Sequence, residues 1–204
     1  MKAAFQAFMA ECPAIAILRG ITPGETEQVC DALFNAGIRL LEIPLNSPDP
    51  FTSIQRAATH CGERMIVGAG TVLTCEDVSK VQQAGGKFIV SPNTAPEVIR
   101  ATKMAGMVSI PGFFTASEAF IAMQAGADYL KLFPSMLGPG YIKDLKAVIK
   151  TPILAVGGVN MGNIPSFMEV CDGVGIGSAI YKPGRTPAET EAAAREIVKA
   201  VNGR

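Results

Sequence analysis

Histidine occurs once in these 204 residues, at His60, and tryptophan not at all. One histidine excludes a metal centre built from several of them, and it excludes a His–His acid/base pair. With aromatic residues at 6%, the chain has no platform on which nucleic-acid bases would stack. It has no charge excess either, because 18 Lys and Arg balance 18 Asp and Glu. Binders of nucleic acid or anionic membranes carry a basic excess or stripe, so any attraction for an anion must be local here. No apolar run approaches the ~18 residues of a membrane span. Met1-Lys2-Ala3-Ala4-Phe5 opens like a signal peptide, but Gln6, Glu11 and Pro13 break it before an apolar stretch accumulates. A soluble, cytoplasmic protein is expected. The five cysteines (Cys12, Cys30, Cys61, Cys75 and Cys171) are scattered, odd in number and without a C-x-x-C pair. They read as reduced, buried thiols rather than a disulfide framework or metal site.

What the chain does have is apolar content and a repeat. Hydrophobic residues make up 49% and charged residues 18%, which excludes intrinsic disorder. A chain of this length buries about 70% of its unfolded surface and holds a core without staples. The phrase Ala-Gly followed by a short apolar run recurs at Ala36-Gly37, Ala84-Gly85, Ala105-Gly106 and Ala125-Gly126. The spacings are 48, 21 and 20 residues, about two periods and then one each. Glycine adopts positive φ cheaply at a helix end, so each phrase marks a helix ending and a strand beginning.

Eight strands follow: 14–18, 40–43, 65–69, 88–91, 107–110, 129–133, 153–156 and 173–176. Helical patterns lie between them at 25–35, 75–83, 95–104, 117–124, 141–149 and 187–201, with an extra helix ahead of Pro13. Short apolar strands alternating with amphipathic helices imply a parallel sheet covered by helices. Eight units of about 25 residues suggest a compact (β/α)₈ TIM barrel occupying residues 1–204 as a single domain. A doubly wound open sheet is the alternative, but its G-x-G-x-x-G fingerprint after the first strand is missing.

In such a barrel the chemistry sits at the C-terminal ends of the strands. The polar residues there are Arg19, Glu42, Thr71, Ser91 and Lys131. Lys131 stands in Tyr129-Leu-Lys-Leu-Phe-Pro, where alternation puts Tyr129, Lys131 and Phe133 on one face. Burying an ammonium is costly, and the same cost lowers its pKa, freeing a neutral amine to attack a carbonyl. A strand-end lysine that snorkels to a carboxylate is the bland alternative. Glu42, sharing a face with Leu40 and Pro44, is either a general acid/base or the partner of a buried cation. Together the two suit carbonyl chemistry, since an attacking amine needs a proton shuttle. Gly157-Gly158-Val159 and Gly175-Ile-Gly177-Ser178 follow the last two strands, where barrel enzymes often bind phosphate through main-chain N–H groups. Their alternative role is to form tight turns.

Taken in order, these motifs resemble the KDPG/KDPGal aldolases, class I aldolases of 2-oxo-3-deoxy-6-phosphosugar acids. The resemblance runs from Ala14-Ile-Ala-Ile-Leu-Arg-Gly-Ile to Gly177-Ser178. It includes Glu42-Ile-Pro-Leu-Asn-Ser-Pro48, Gly68-Ala-Gly-Thr-Val-Leu73, Ser91-Pro92, Ile110-Pro-Gly112 and Leu130-Lys-Leu-Phe-Pro134. It implies that Lys131 forms a Schiff base with the substrate keto carbon and that Glu42 is the general acid/base. Thr71 and Arg19 would hold the substrate carboxylate, and Gly157, Gly158, Gly177 and Ser178 the 6-phosphate. Pro92 and Phe133 would complete the binding wall. It further implies no metal or organic cofactor, pyruvate and D-glyceraldehyde 3-phosphate as products, and a homotrimer.

Two departures point within the family. Where the gluconate type has an arginine four residues after the glutamate, this chain has Asn46; where that type has Pro-Thr, this chain has Ala155-Val156. Both favour 2-dehydro-3-deoxy-6-phosphogalactonate as substrate, with the gluconate epimer or dual specificity as the alternative. Two other classes stay open at this point: a phosphosugar isomerase or epimerase, which leaves Lys131 unexplained, and a non-catalytic sugar-phosphate sensor.

Overall fold

A computed structural model describes residues 1–203. Helix α1 (Lys2–Glu11) precedes β1 (Ala14–Ile17), α2 (Thr26–Ala36), β2 (Leu40–Pro44), α3 (Pro50–Cys61), β3 (Ile66–Gly70) and α4 (Cys75–Gln83). The chain continues with β4 (Phe88–Val90), α5 (Pro96–Met104), β5 (Val108–Ile110), β6 (Gly112–Phe113), α6 (Ala116–Ala125) and β7 (Leu130–Leu132). It ends with α7 (Gly138–Leu145), β8 (Ile153–Val156), α8 (Ile164–Met168), β9 (Gly173–Ile176) and α9 (Pro187–Val201). The glycines of all four Ala-Gly phrases have positive φ, at 102° for Gly37, 89° for Gly85, 72° for Gly106 and 100° for Gly126. The opposite ends of the helices have their own signals. Thr115 with Glu118 and Thr186 with Glu189 form capping boxes, in which hydroxyl and carboxylate each satisfy an N–H that the helix leaves unpaired.

All paired strands are parallel, in the order β5-β4-β3-β2-β1-β9-β8-β7-β6. The two ends of this series, β5 and β6, are consecutive in the chain and separated only by Pro111. Proline has no N–H to give a ladder, so one strand becomes two segments. The sheet closes across the break, because Tyr129 N–H donates to Ser109 O at 3.2 Å and Lys131 N–H to Pro111 O at 2.9 Å. The result is the expected (β/α)₈ barrel, with nine segments forming eight staves.

Other differences from expectation are local. Helix α3 is not among the helical patterns read from the sequence. Pro50 occupies its first turn, where a missing N–H costs nothing. Helix α7 starts at Gly138 and ends at Leu145 instead of covering 141–149, again with a proline in its first turn. Cys75 is exposed at the start of α4, whereas the other four cysteines are buried.

Alternation divides the core in two. Leu41, Ile43, Val67, Ala69, Leu130, Leu132 and Ala155 face the helices. Ile15, Ile17, Leu40, Ile66, Phe88, Val90, Tyr129, Leu154 and Val156 fill the barrel. Helix α1 closes its N-terminal end: Phe5 is fully buried, its ring centroid 5.3 Å from Phe88 and 5.2 Å from Tyr129. This leaves the C-terminal mouth as the open end. Small residues make the interior fit. A Cβ at Gly68 would lie 2.5 Å from both the Phe88 ring and its carbonyl oxygen. Main chain cannot swing aside as a side chain can. Gly68→Ala is therefore expected to destabilise by about 1–3 kcal/mol, the usual cost of overpacking, read as a lower urea midpoint at unchanged slope.

Candidate active site

At that open mouth lies a cavity of about 350 Å³, within the range of small-molecule sites. Strand ends supply its charged residues. Arg19 follows β1, Glu42 lies in β2, Thr71 follows β3 and Lys131 lies in β7, and all four line the wall. Phe133, Gly157, Gly158, Gly177 and Ser178 line it too. Of the residues singled out from the sequence, Ser91 and Pro92 are not on the cavity wall; the Ser91 hydroxyl donates to Val72 O at 2.8 Å. Pro92 packs close by, at the β4–β6 junction, where a Cβ on Gly112 would lie 2.8 Å from the carbonyl oxygen of neighbouring Ser91 and collide with Pro92 itself.

Lys131 is 6% exposed and Glu42 is 3% exposed. Burial pushes the Lys131 amine below the usual lysine value; the Glu42 charge opposes that shift and the Arg19 charge adds to it. Burial likewise raises the Glu42 carboxyl, against the pull of Lys131 and Arg19. The two groups act on each other through space, with no hydrogen bond between them. Each is thus moved toward its neutral form. The Lys131 Nζ also sits 4.6 Å from the centroid of the Phe133 ring, which gives the ammonium form a π face in place of water. Below the pair, a void of about 10 Å³ is walled by Ile15, Ile17, Val90, Ile110, Leu154 and Val156. The floor is therefore apolar.

Two further features concern anions. Arg19 donates to Asn46 Oδ1 at 2.7 Å, and Gly20 N–H donates to Ser47 Oγ at 2.9 Å, so the loops after β1 and β2 brace each other. Thr71 has φ of +57°, a genuine outlier for a β-branched residue, and such strain gathers at functional sites. On the opposite wall, the carbonyl of Gly157 accepts from Ser135 Oγ, and that of Gly158 accepts from the Asn160 and Asn163 side chains. None of the N–H groups of Gly157, Gly158, Val159, Gly177, Ser178 and Ala179 donates to another described residue. Main-chain donors left unpaired at adjacent turns are the kind of group on which proteins hold anions.

Sequence reasoning missed Tyr181, Lys182 and Pro183, which also line the cavity. Their signal was position, since they continue the loop after β9 only a few residues beyond Ser178. The loop is pinned by Tyr181 Oη donating to Glu25 Oε1 at 2.8 Å and by Pro183 against Gly20, where an added Cβ would lie 2.8 Å from the ring. Lys182, on the pinned segment, is exposed. The cavity's ionisable side chains thus include Arg19, Lys131 and Lys182 against Glu42, a local excess of cations in a chain of zero net charge. Among the described residues no group of three or more His, Cys, Asp or Glu is placed to hold a metal ion.

Comparison with known proteins agrees with this geometry. The family model described as KDPG and KHG aldolase matches residues 5–193. A Rhizobium meliloti protein named "Probable 2-dehydro-3-deoxy-6-phosphogalactonate aldolase" is 47% identical over 178 residues, 85% of this chain and 84% of its own. The Escherichia coli protein named 2-dehydro-3-deoxy-6-phosphogalactonate aldolase is 45% identical over 192 residues, 92% of this chain and 94% of its own. A solved structure described as "Native KDPGal structure" superposes with a TM-score of 0.91 at 44% identity, covering 94% of this chain and 95% of that one. With the family model spanning nearly its whole length, the chain belongs to the KDPG and KHG aldolase family.

Proposed function

We propose that this protein is a Schiff-base aldolase that cleaves 2-dehydro-3-deoxy-6-phosphogalactonate to pyruvate and D-glyceraldehyde 3-phosphate. The observation that carries the reading is a buried, neutral-tending lysine beside a buried acid, on the wall of a cavity whose far side carries unpaired main-chain N–H groups. The Lys131 amine attacks the C2 keto carbon, and loss of water from the carbinolamine leaves an imine. Glu42 supplies and removes the protons of these steps, then takes the C4 hydroxyl proton directly or through water. As the C3–C4 bond breaks, its electron pair moves into the protonated imine and becomes an enamine. The aldehyde leaves, C3 is reprotonated, and hydrolysis releases pyruvate and restores the amine. No step leaves Lys131 idle, as proton exchange by an isomerase would.

Arg19, held by Asn46, and Thr71 take the substrate carboxylate. The preference for the galacto epimer rests on Val156, whose side chain lines both the cavity and its apolar floor while Ala155 faces the helices. A methyl group there offers the C4 hydroxyl no partner, so the epimer that directs the hydroxyl elsewhere is favoured. A coupled assay for pyruvate release on both epimers tests the whole reading. Release from neither epimer would end it, and faster release from the gluconate epimer would end the assignment of stereochemistry.

The phosphate falls to the two glycine turns, with Lys182 as the cation at that end. Gly177 allows a clean test, because an added Cβ would meet only Ile17, at 3.8 Å or more, and its φ is not in the left-handed region. A side chain there disturbs an incoming anion more than the fold. Gly177→Val and Lys182→Gln are each expected to raise KM for the phosphorylated substrate about tenfold or more, equivalent to about 1.4 kcal/mol. Cleavage of the dephosphorylated analogue should be unchanged. Equal losses on both substrates would reduce the turns to scaffolding.

The wider setting is proposed on the same footing: a single barrel domain working in the cytoplasm, as a homotrimer, with small phosphosugar acids and pyruvate as its partners. No helix among the described residues is long and apolar enough to cross a membrane. Met136 at 76% and Leu137 at 51% exposure, following Phe133 and Pro134, put large apolar side chains in solvent beside the mouth. A subunit contact would cover them, and sedimentation equilibrium at three times the chain mass is the expected result.

A further inference from the structure

At Gly70 the barrel interior lacks a side chain where the Glu42 carboxyl group lies. A Cβ built on Gly70, the last residue of β3, would overlap the Glu42 carboxyl group, colliding with Oε2 and lying 2.9 Å from Oε1. Gly70 does not need its freedom for the backbone, since its φ lies outside the left-handed region and alanine could adopt the conformation. Nor can its main chain retreat. It pairs with Pro44 in the β2–β3 ladder, and its carbonyl accepts from Leu45 N–H at 2.8 Å. The glycine is therefore required by the acid beside it. The two carboxyl oxygens differ as a result. Oε2 is buried over the bare Cα of Gly70 without a hydrogen-bond partner, while Oε1 is not among the buried orphans, in a residue that lines the cavity. An orphaned buried oxygen is costly and persists where the surroundings dictate it.

We propose that Gly70 is a positioning residue for Glu42: its missing side chain is the seat that parks Oε2 and directs Oε1 at the substrate. The inference rests on the acid/base role given to Glu42 above. Any side chain at position 70 pushes the carboxyl out of its seat toward the cavity, so the acid survives but its geometry does not.

The experiment is a mutant cycle on the full-length protein. Gly70→Ala is expected to lower kcat by about 10²–10⁴-fold, the range for general acid/base catalysis, as Glu42→Gln does. The double variant Gly70→Ala/Glu42→Gln should be no slower than Glu42→Gln alone, because the glycine acts only through the acid. Gly70→Ala/Glu42→Asp, one methylene shorter, should recover part of the loss. Should Gly70→Ala fail to fold, Gly70→Ala/Glu42→Ala should fold, since the seat and its occupant then fit again. A Gly70→Ala protein with full kcat, losses that multiply in the double variant, or a Gly70→Ala/Glu42→Ala chain that stays unfolded would each overturn the proposal. A ¹³C-carboxyl NMR titration needs no turnover and separates this inference from the function. In Gly70→Ala the Glu42 signal should titrate at lower pH than in wild type, as the carboxyl leaves its dry seat. An unchanged titration overturns the role of Gly70 even if the wild-type protein cleaves neither epimer.

Discussion

Lys131→Ala is expected to abolish pyruvate release, with a loss on the order of 10⁴–10⁶-fold, the scale on which deleting the nucleophile of a covalent mechanism is felt. Without the imine, the electron pair of the breaking C3–C4 bond has no sink. Glu42 can move protons and Arg19 can hold an anion, but neither forms a covalent bond to the keto carbon. The same variant should lose the borohydride-trapped adduct that wild-type protein forms with pyruvate. Mass mapping of that adduct is the decisive measurement, because Lys182 shares the cavity wall. An adduct at Lys182, or normal turnover by Lys131→Ala with its circular dichroism unchanged, would refute the assignment.

The neutral amine this mechanism needs is a product of the fold. An ammonium at the surface is held charged by water, whereas at 6% exposure among barrel residues that water is missing. Phe5 of α1 plugs the barrel below, and Lys2 of the same helix pairs with Asp128, which Lys103 of α5 also holds. A packing contact at the far end of the barrel thus contributes to the burial that moves Lys131 and Glu42 toward their neutral forms.

Much of this was legible in the sequence, and the reasons differ by element. Strand ends could be read because Ala-Gly needs a left-handed residue at each helix terminus and because inward positions alternate with outward ones. That alternation puts Lys131 on one face with Tyr129 and Phe133, and Glu42 on one with Leu40 and Pro44; only closure of the barrel makes those faces the inner ones. The split at Pro111 was not legible as a barrel closure, since a missing N–H shows only when the neighbouring strand is known. Pro50 and Pro139 look like helix breakers until the helix start is fixed around them. Pro92 was assigned to the cavity by resemblance; it is not on the cavity wall, and its main chain packs against Gly112. Tyr181 and Lys182 went unread because they carry no local motif; only the path of the loop after β9 brings them to the mouth. Gly70 was read as part of a motif, but the reason for its lacking a side chain lies 28 residues earlier, in Glu42.

Glu42→Gln is expected to separate the two halves of the mechanism. Turnover should fall by about 10²–10⁴-fold, because carbinolamine dehydration and C4 deprotonation lose their acid and base. The adduct with pyruvate should still form under borohydride, since the amine remains. Its pH dependence carries the sharper test. The Glu42 charge raises the Lys131 pKa against the effect of burial, so removing that charge lets the amine fall further below the usual lysine value. More of it is then neutral at a given pH, and the pH at which trapping is half-maximal should shift downward in Glu42→Gln. Stability gives an independent check on the same coupling. Burial raises the folded-state Glu42 pKa above its unfolded value near 4.5, so the native state binds more protons in the window between the two. That contribution is fully present below the unfolded pKa and is lost as pH rises through the folded one, where the protein must hold a buried carboxylate. Glutamine carries no such penalty. Glu42→Gln should accordingly melt higher than wild type at pH 8, and the difference should shrink as pH falls toward 4.5. A trapping profile that stays put or moves upward would show that the Glu42 charge does not act on Lys131, and a variant that is less stable at pH 8 than at pH 4.5 relative to wild type would show that the two are held as a tight ion pair.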